Sequence, residues 1–204
     1  MKMNDGTQRI PRYFFGLGAL ALAAYFLLVH SREPLIFFAS LFFLVICVTD
    51  TFQSRIPNLA TLSLVLVGFG YHLWFGGMPG GATALAGMLT GLALLLPFYL
   101  MGGMGGGDVK ALAALGALMG PADIFQVFLL TGLIGGGMAV VHLALGKNLK
   151  RKLEVWLASA WLLVAIHHFP PRQTAAEAAS ADKYPYAAAI AFGYFVFISW
   201  GGLI

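Results

Sequence analysis

Charge is scarce in this chain. Only 10% of its 204 residues are Asp, Glu, Lys or Arg, and eight of them are acids. A soluble domain carries about 25% charged residues, so a conventional water-facing surface is excluded over most of the length. Cysteine is almost absent too. Cys47 stands alone in an apolar run, which excludes an internal disulfide and a cysteine-based zinc site. No polar stretch is long enough to form a second, soluble unit, so 1–204 reads as a single membrane domain. The net charge of +4 gives no reason to expect a nucleic-acid partner. In a membrane protein the placement of Lys and Arg matters more, because it sets orientation.

What is present is apolar and arranged in runs. Hydrophobic residues make up 60% of the chain, spread over several segments near the 17–25 residues that a spanning helix needs. The sequence therefore reads as an all-α, polytopic integral membrane protein with about six or seven transmembrane helices, embedded in membrane lipid. Helices are expected over 13–30, 35–50, 59–76, 82–101, 108–120, 122–146 and 185–204. Ser31-Arg32-Glu33-Pro34 and Gly76-Gly77-Met78-Pro79-Gly80-Gly81 read as turns. Gly135, Gly136 and Gly137 read as sites of close helix approach. The segment 153–169 starts with charge and carries Trp156 and Trp161. It either spans or lies in the interface.

Orientation follows from the basic residues. With 1–12 inside and 147–184 cytoplasmic or interfacial, nearly all Lys and Arg fall on the cytoplasmic side and only Arg32 falls outside. That is the asymmetry of the positive-inside rule. It also brings two acids, Asp50 and Asp108, to one face of the membrane.

Those two acids differ from the rest, because each abuts a long apolar helix. An ionisable group at membrane depth costs about 2.5–3.5 kcal/mol on insertion scales and marks function by default. Two neighbouring carboxylates do not both ionise readily, so one keeps a proton and the other does not. The ionised member takes a proton from an attacking water, and the protonated member donates to a peptide carbonyl. No metal or other cofactor is needed. Gly105, Gly106 and Gly107 would let a peptide approach the backbone. The helix dipole would favour an ionised Asp108, and Lys110 would pull the same way or snorkel to lipid head groups. Spacing alone leaves alternatives open. Asp108 also suits a simple helix N-cap, and the pair also suits a proton relay in a transporter. His167-His168 is the one histidine pair, too few ligands for a metal site.

Gly103-Met104-Gly105-Gly106-Gly107-Asp108-Val109-Lys110 resembles the second catalytic motif of the type IV prepilin peptidases, which are GxGD intramembrane aspartyl proteases. Asp50 followed by Arg55-Ile56-Pro57-Asn58, with the proline seven residues on, resembles their first motif. Tyr184-Pro185-Tyr186 is similar to the segment that opens the family's last helix. The resemblance covers roughly 35–200. It implies the GxGD fold, an Asp50–Asp108 catalytic dyad supported by Pro57, Asn58, Gly105–Gly107 and Lys110, and a prepilin or pseudopilin substrate. Its short basic leader would be cut at the cytoplasmic face of the bacterial inner membrane. The larger members' Cys-x-x-Cys region has no counterpart here, so the chain resembles the short, peptidase-only form of Flp/Tad pilus systems. A non-enzymatic membrane protein, either a proton-coupled transporter or a pilus assembly factor, is the alternative. Nothing in the sequence fixes the oligomeric state.

Overall fold

The computed structural model describes residues 6–30, 32–53, 55–100, 104–145 and 186–201. These form six helices: α1 (Gly6–Val29), α2 (Pro34–Gln53), α3 (Asn58–Leu100), α4 (Gly106–Met119), α5 (Pro121–Leu145) and α6 (Tyr186–Trp200). No strand occurs among the described residues. The segment 153–169, the basic stretch 147–152 and Tyr184-Pro185 lie outside them.

Among the described residues three helices are long and apolar enough to cross a membrane: α2, α3 and α5. Shorter apolar helices cover Tyr13–Val29 and Tyr186–Trp200. Helix α1 begins at Gly6 rather than 13, because Arg9 and Arg12 are good helix formers and do not interrupt it. Helix α2 runs past 50 to Gln53, since the first breaker is Pro57, which disfavours helix at Ile56.

The expected turn over 76–81 contracts to one residue. Gly77 alone leaves helical geometry, at φ 59° and ψ −147°, a region that favours glycine. Pro79 then falls in the first turn of the second half, where its missing N–H has little consequence. The chain reverses here, because a Cβ on Gly80 would collide with the His72 carbonyl oxygen, eight residues earlier. Eight residues of straight helix would hold these groups about 12 Å apart. The halves 58–76 and 78–100 therefore form a hairpin.

Helix α4 lies against that hairpin and is buried on all sides, from Val109 and Ala111 through Leu118. Its fourteen residues rise only about 21 Å, too little to span. Small residues bring the backbones together. Cβ atoms on Gly87 and Gly116 would strike each other's carbonyl oxygens. One on Gly91 would stand 2.5 Å from the Leu112 oxygen, and one on Gly68 2.6 Å from the Ala117 oxygen. His72 Nε2 lies 3.1 Å from the Leu118 oxygen. Gly120, at φ 90°, ends α4, and its N–H donates to Gly116 O at 2.8 Å.

An aromatic cluster joins α1, α2 and α6. The Phe26 and Phe195 rings are 4.7 Å apart, and Phe43 sits 5.2 Å from Tyr194. Thr131 of α5 fills the space over Gly193 of α6, and Gly135 faces Ala189. Among the described residues nothing stands within 4 Å of a Cβ on Gly136 or Gly137, so there only Gly135 of that trio meets another helix closely.

These contacts fix which ends meet. Tyr13 lies beside Phe52, Tyr99 beside Gly106, and Tyr186 beside Gly135. One end of the bundle thus gathers the start of α1, the end of α2, both ends of the α3 hairpin, the starts of α4 and α6, and the end of α5.

Backbone-to-backbone packing leaves no side chain to move aside. Gly87→Ala or Gly116→Ala should lower the thermal midpoint in detergent, by about 1–3 kcal/mol of stability. Gly136→Ala should be neutral or slightly stabilising. Circular-dichroism melts of the three variants check this.

Candidate active site

Asp50 sits in the last turn of α2 and is half-buried, with its Oδ2 shielded from solvent. One turn earlier Cys47 is fully buried and within electrostatic reach of Asp50. Next to Asp50, Thr51 is buried against Gly16 of α1. This packing fixes the rotation of α2 about its axis and so the direction of Asp50.

Asp108 is inside α4, not ahead of it. The N-cap position belongs to Gly105, in extended conformation with φ −75° and ψ 142° and no side-chain cap. The N-cap alternative for Asp108 is thereby corrected. Asp108 stands in the first turn, where the backbone N–H groups of Gly105 and of Asp108 itself act on its carboxyl and favour the charged form. Its own N–H donates to Gly105 O at 3.2 Å.

The two acids meet electrostatically. Helix α2 touches α4, and the Asp50 charge bears on the largely buried Asp108 carboxyl. Burial first, then Asp50, push Asp108 up to about 7, and the two backbone N–H groups only partly offset this. The helix dipole was expected to keep Asp108 ionised. It loses here, because desolvation and a like charge both oppose ionisation and the dipole contributes roughly 0.3–1 kcal/mol. Lys110 is not among the groups acting on Asp108.

The glycines before Asp108 are covered by the chain itself. A Cβ on Gly106 would stand 3.2 Å from the Tyr99 ring, and one on Gly107 would stand 3.2 Å from Ile56. Only Gly105 is exposed. Lys110 Nζ donates to Asn58 Oδ1 at 3.1 Å. Pro57 lines an apolar groove of about 470 Å³ between α2 and the first half of α3, with Phe38, Phe42, Val45, Ala60 and Val67. Tyr99, Ile56 and Tyr186 were not identified as site residues from sequence. Tyr186 lies within electrostatic reach of Asp108. Its one sequence signal was the Tyr-Pro-Tyr segment, read only as a helix opening. Among the described residues no group of three His, Cys, Asp or Glu would hold a metal ion, and His167-His168 lies outside them.

A raised carboxyl destabilises the fold once it must ionise. The folded state holds the Asp108 proton up to about pH 7, whereas the unfolded chain releases it near 3.8. Stability tied to Asp108 is thus full below pH 4 and lost as pH rises through 7. Asp108→Asn should therefore gain stability over the wild type between pH 4 and pH 8, by about 1–3 kcal/mol. Thermal midpoints across that range test the sign.

The sequence model of the Type IV leader peptidase family matches residues 35–140. Searches of the curated proteins and of the solved structures gave no match. The family match takes in both acids, the Pro57 segment, the α3 hairpin and all of α4. Extending over more than half of the 204 residues, it shows that the chain belongs to the type IV leader peptidase family.

Proposed function

We propose that this peptidase is an aspartic endopeptidase whose catalytic dyad is Asp50 and Asp108, and that it removes the short N-terminal leader of Flp-type prepilins. The observation that carries this reading is that Asp50, in the last turn of α2, and Asp108, in the first turn of α4, come within electrostatic reach of each other at one end of the bundle. We assign Asp108 as the acid and Asp50 as the base, in line with the upward push that burial and Asp50 give the Asp108 carboxyl.

In the reaction, Asp50 takes a proton from water as its oxygen bonds to the scissile carbonyl carbon. Asp108 donates its proton to the carbonyl oxygen. The tetrahedral species collapses when the carbonyl re-forms, the C–N bond breaks and the departing nitrogen takes a proton from Asp50. The remaining hydroxyl proton returns to Asp108. Water is consumed, a carboxyl and an amine are released, and no group is oxidised or reduced. Tyr186, within electrostatic reach of Asp108, belongs to the same site end. The apolar groove next to Pro57 gives the hydrophobic part of a substrate a place beside the cut.

The single-domain reading of 1–204 and the span count of six or seven belong to the same proposal. So does the cytoplasmic orientation in the bacterial inner membrane. Exposed Arg55 and Lys110 stand at the site end, as do Arg9 and Arg12 in the first turns of α1, while Arg32 stands at the other end. This distribution supports a cytoplasmic site end by the positive-inside rule. The end of α5 and the start of α6 share that side, which supports a cytoplasmic or interfacial 147–184.

Co-expression of a prepilin with Asp50→Ala or Asp108→Ala should leave the leader uncut, a loss of at least about 1,000-fold, while the protein still accumulates in the membrane. Full processing by either variant would overturn the dyad. The wild-type rate should fall as pH rises above about 7, because Asp108 must be protonated to act as the acid.

A further inference from the structure

The motif residues around Asp108 do not share one face of α4. Residues three apart on a helix are neighbours, whereas residues two apart point away from each other. Gly107 and Lys110 therefore form one face, and Asp108 lies on another. Against the Gly107–Lys110 face rests the segment that connects α2 to α3. Ile56 covers Gly107 so closely that a Cβ there would stand 3.2 Å from it. Lys110 Nζ donates to Asn58 Oδ1 at 3.1 Å, across 52 positions of sequence. The segment is in turn tied into α3, where Thr61 N–H donates to Pro57 O at 3.3 Å and Thr61 Oγ1 to Asn58 O at 2.9 Å. Asp50 stands at the other end of the same connection. One apolar contact and one charged hydrogen bond thus couple the connection carrying Asp50 to the helix carrying Asp108.

We propose that Lys110 and Asn58 form a positioning latch that holds the Ile56–Asn58 segment on the first turn of α4 and so sets the separation of Asp50 and Asp108. Both are positioning residues, and Lys110 acts through Asn58 rather than on Asp108 or on substrate. The proposal rests on the dyad reading above. Gly107 has its own part in it, since a side chain there would push Ile56 away and stretch the hydrogen bond. Both latch residues are exposed. An exposed hydrogen bond adds little to overall stability, but a displacement of about 1 Å at reacting groups slows chemistry by about 100-fold. The latch therefore matters for rate far more than for folding.

The test uses full-length protein in lipid–detergent micelles with a prepilin bearing a basic leader. Lys110→Met and Asn58→Leu should each lower kcat about tenfold or more and leave KM unchanged. The double variant should be no slower than the slower single, because the two act as one unit. Without substrate, the amides of 55–61 should exchange about three- to tenfold faster in each single variant. Asn58→Asp, which keeps the acceptor, should restore slow exchange and most of kcat, and it serves if Lys110→Met fails to accumulate. A raised KM with normal kcat, losses that multiply in the double variant, or unchanged exchange would each overturn the latch. Asp108→Asn separates the two readings. If it still cleaves, the dyad reading fails. If it is inactive while Lys110→Met keeps its wild-type kcat, the latch alone fails.

Discussion

The structure depends on how closely the α3 hairpin approaches α4. In lipid no hydrophobic force draws helices together, so association rests on packing and on small residues that let backbones touch. Gly68, Gly87 and Gly91 on the hairpin meet Leu112, Gly116 and Ala117 on α4 in this way. The two halves of α3 clasp a helix whose one exposed residue is Lys110. Once α4 is seated, its start can be in only one place, and everything near Asp108 follows: Tyr99 over Gly106, Ile56 over Gly107, and Asp50 across from the carboxyl.

The chemistry of the site comes from a contest that the local helix start does not win. A helix N-terminus with backbone N–H groups aimed at a carboxylate ordinarily favours the charged form. At Asp108 burial and the neighbouring Asp50 outweigh it. The backbone groups offset only part of that push, and the proposed acid role needs the protonated form that the surroundings favour.

Much of this was legible in the sequence. Asp50 and Asp108 stand out because charge is rare and both abut apolar helices. Spacing alone leaves a helix cap or a proton relay open, and it is the resemblance of the Pro57 segment and the glycine run to two family motifs that implies a pair. Gly77 was legible only as part of a six-residue turn, because composition does not say that a single left-handed residue suffices. The glycines of 105–107 read from sequence as room for a peptide, and the structure sets Tyr99 against Gly106 and Ile56 against Gly107. Such partners come from distant parts of the chain and leave no local pattern. For Lys110 the sequence offers an influence on Asp108 or a reach to lipid head groups, and helical geometry adds a third partner by turning its side chain toward Asn58. Tyr186 reaches the site only through the packing of α6, which no periodicity near residue 186 records.

The shortness of α4 has a consequence for solvent. Its rise of about 21 Å falls short of the roughly 30 Å hydrocarbon layer, so its two ends cannot both reach bulk water across an unthinned bilayer. Backbone groups at a helix end have no partner within the helix and are not tolerated bare in lipid. Here the protein covers them: Tyr99 and Ile56 stand against the first turn, and the Gly120 N–H donates to Gly116 O at 2.8 Å. A short helix seated this way can start below the surface of the bundle, and the proposed reaction, which consumes water, would need its reagent to reach that depth.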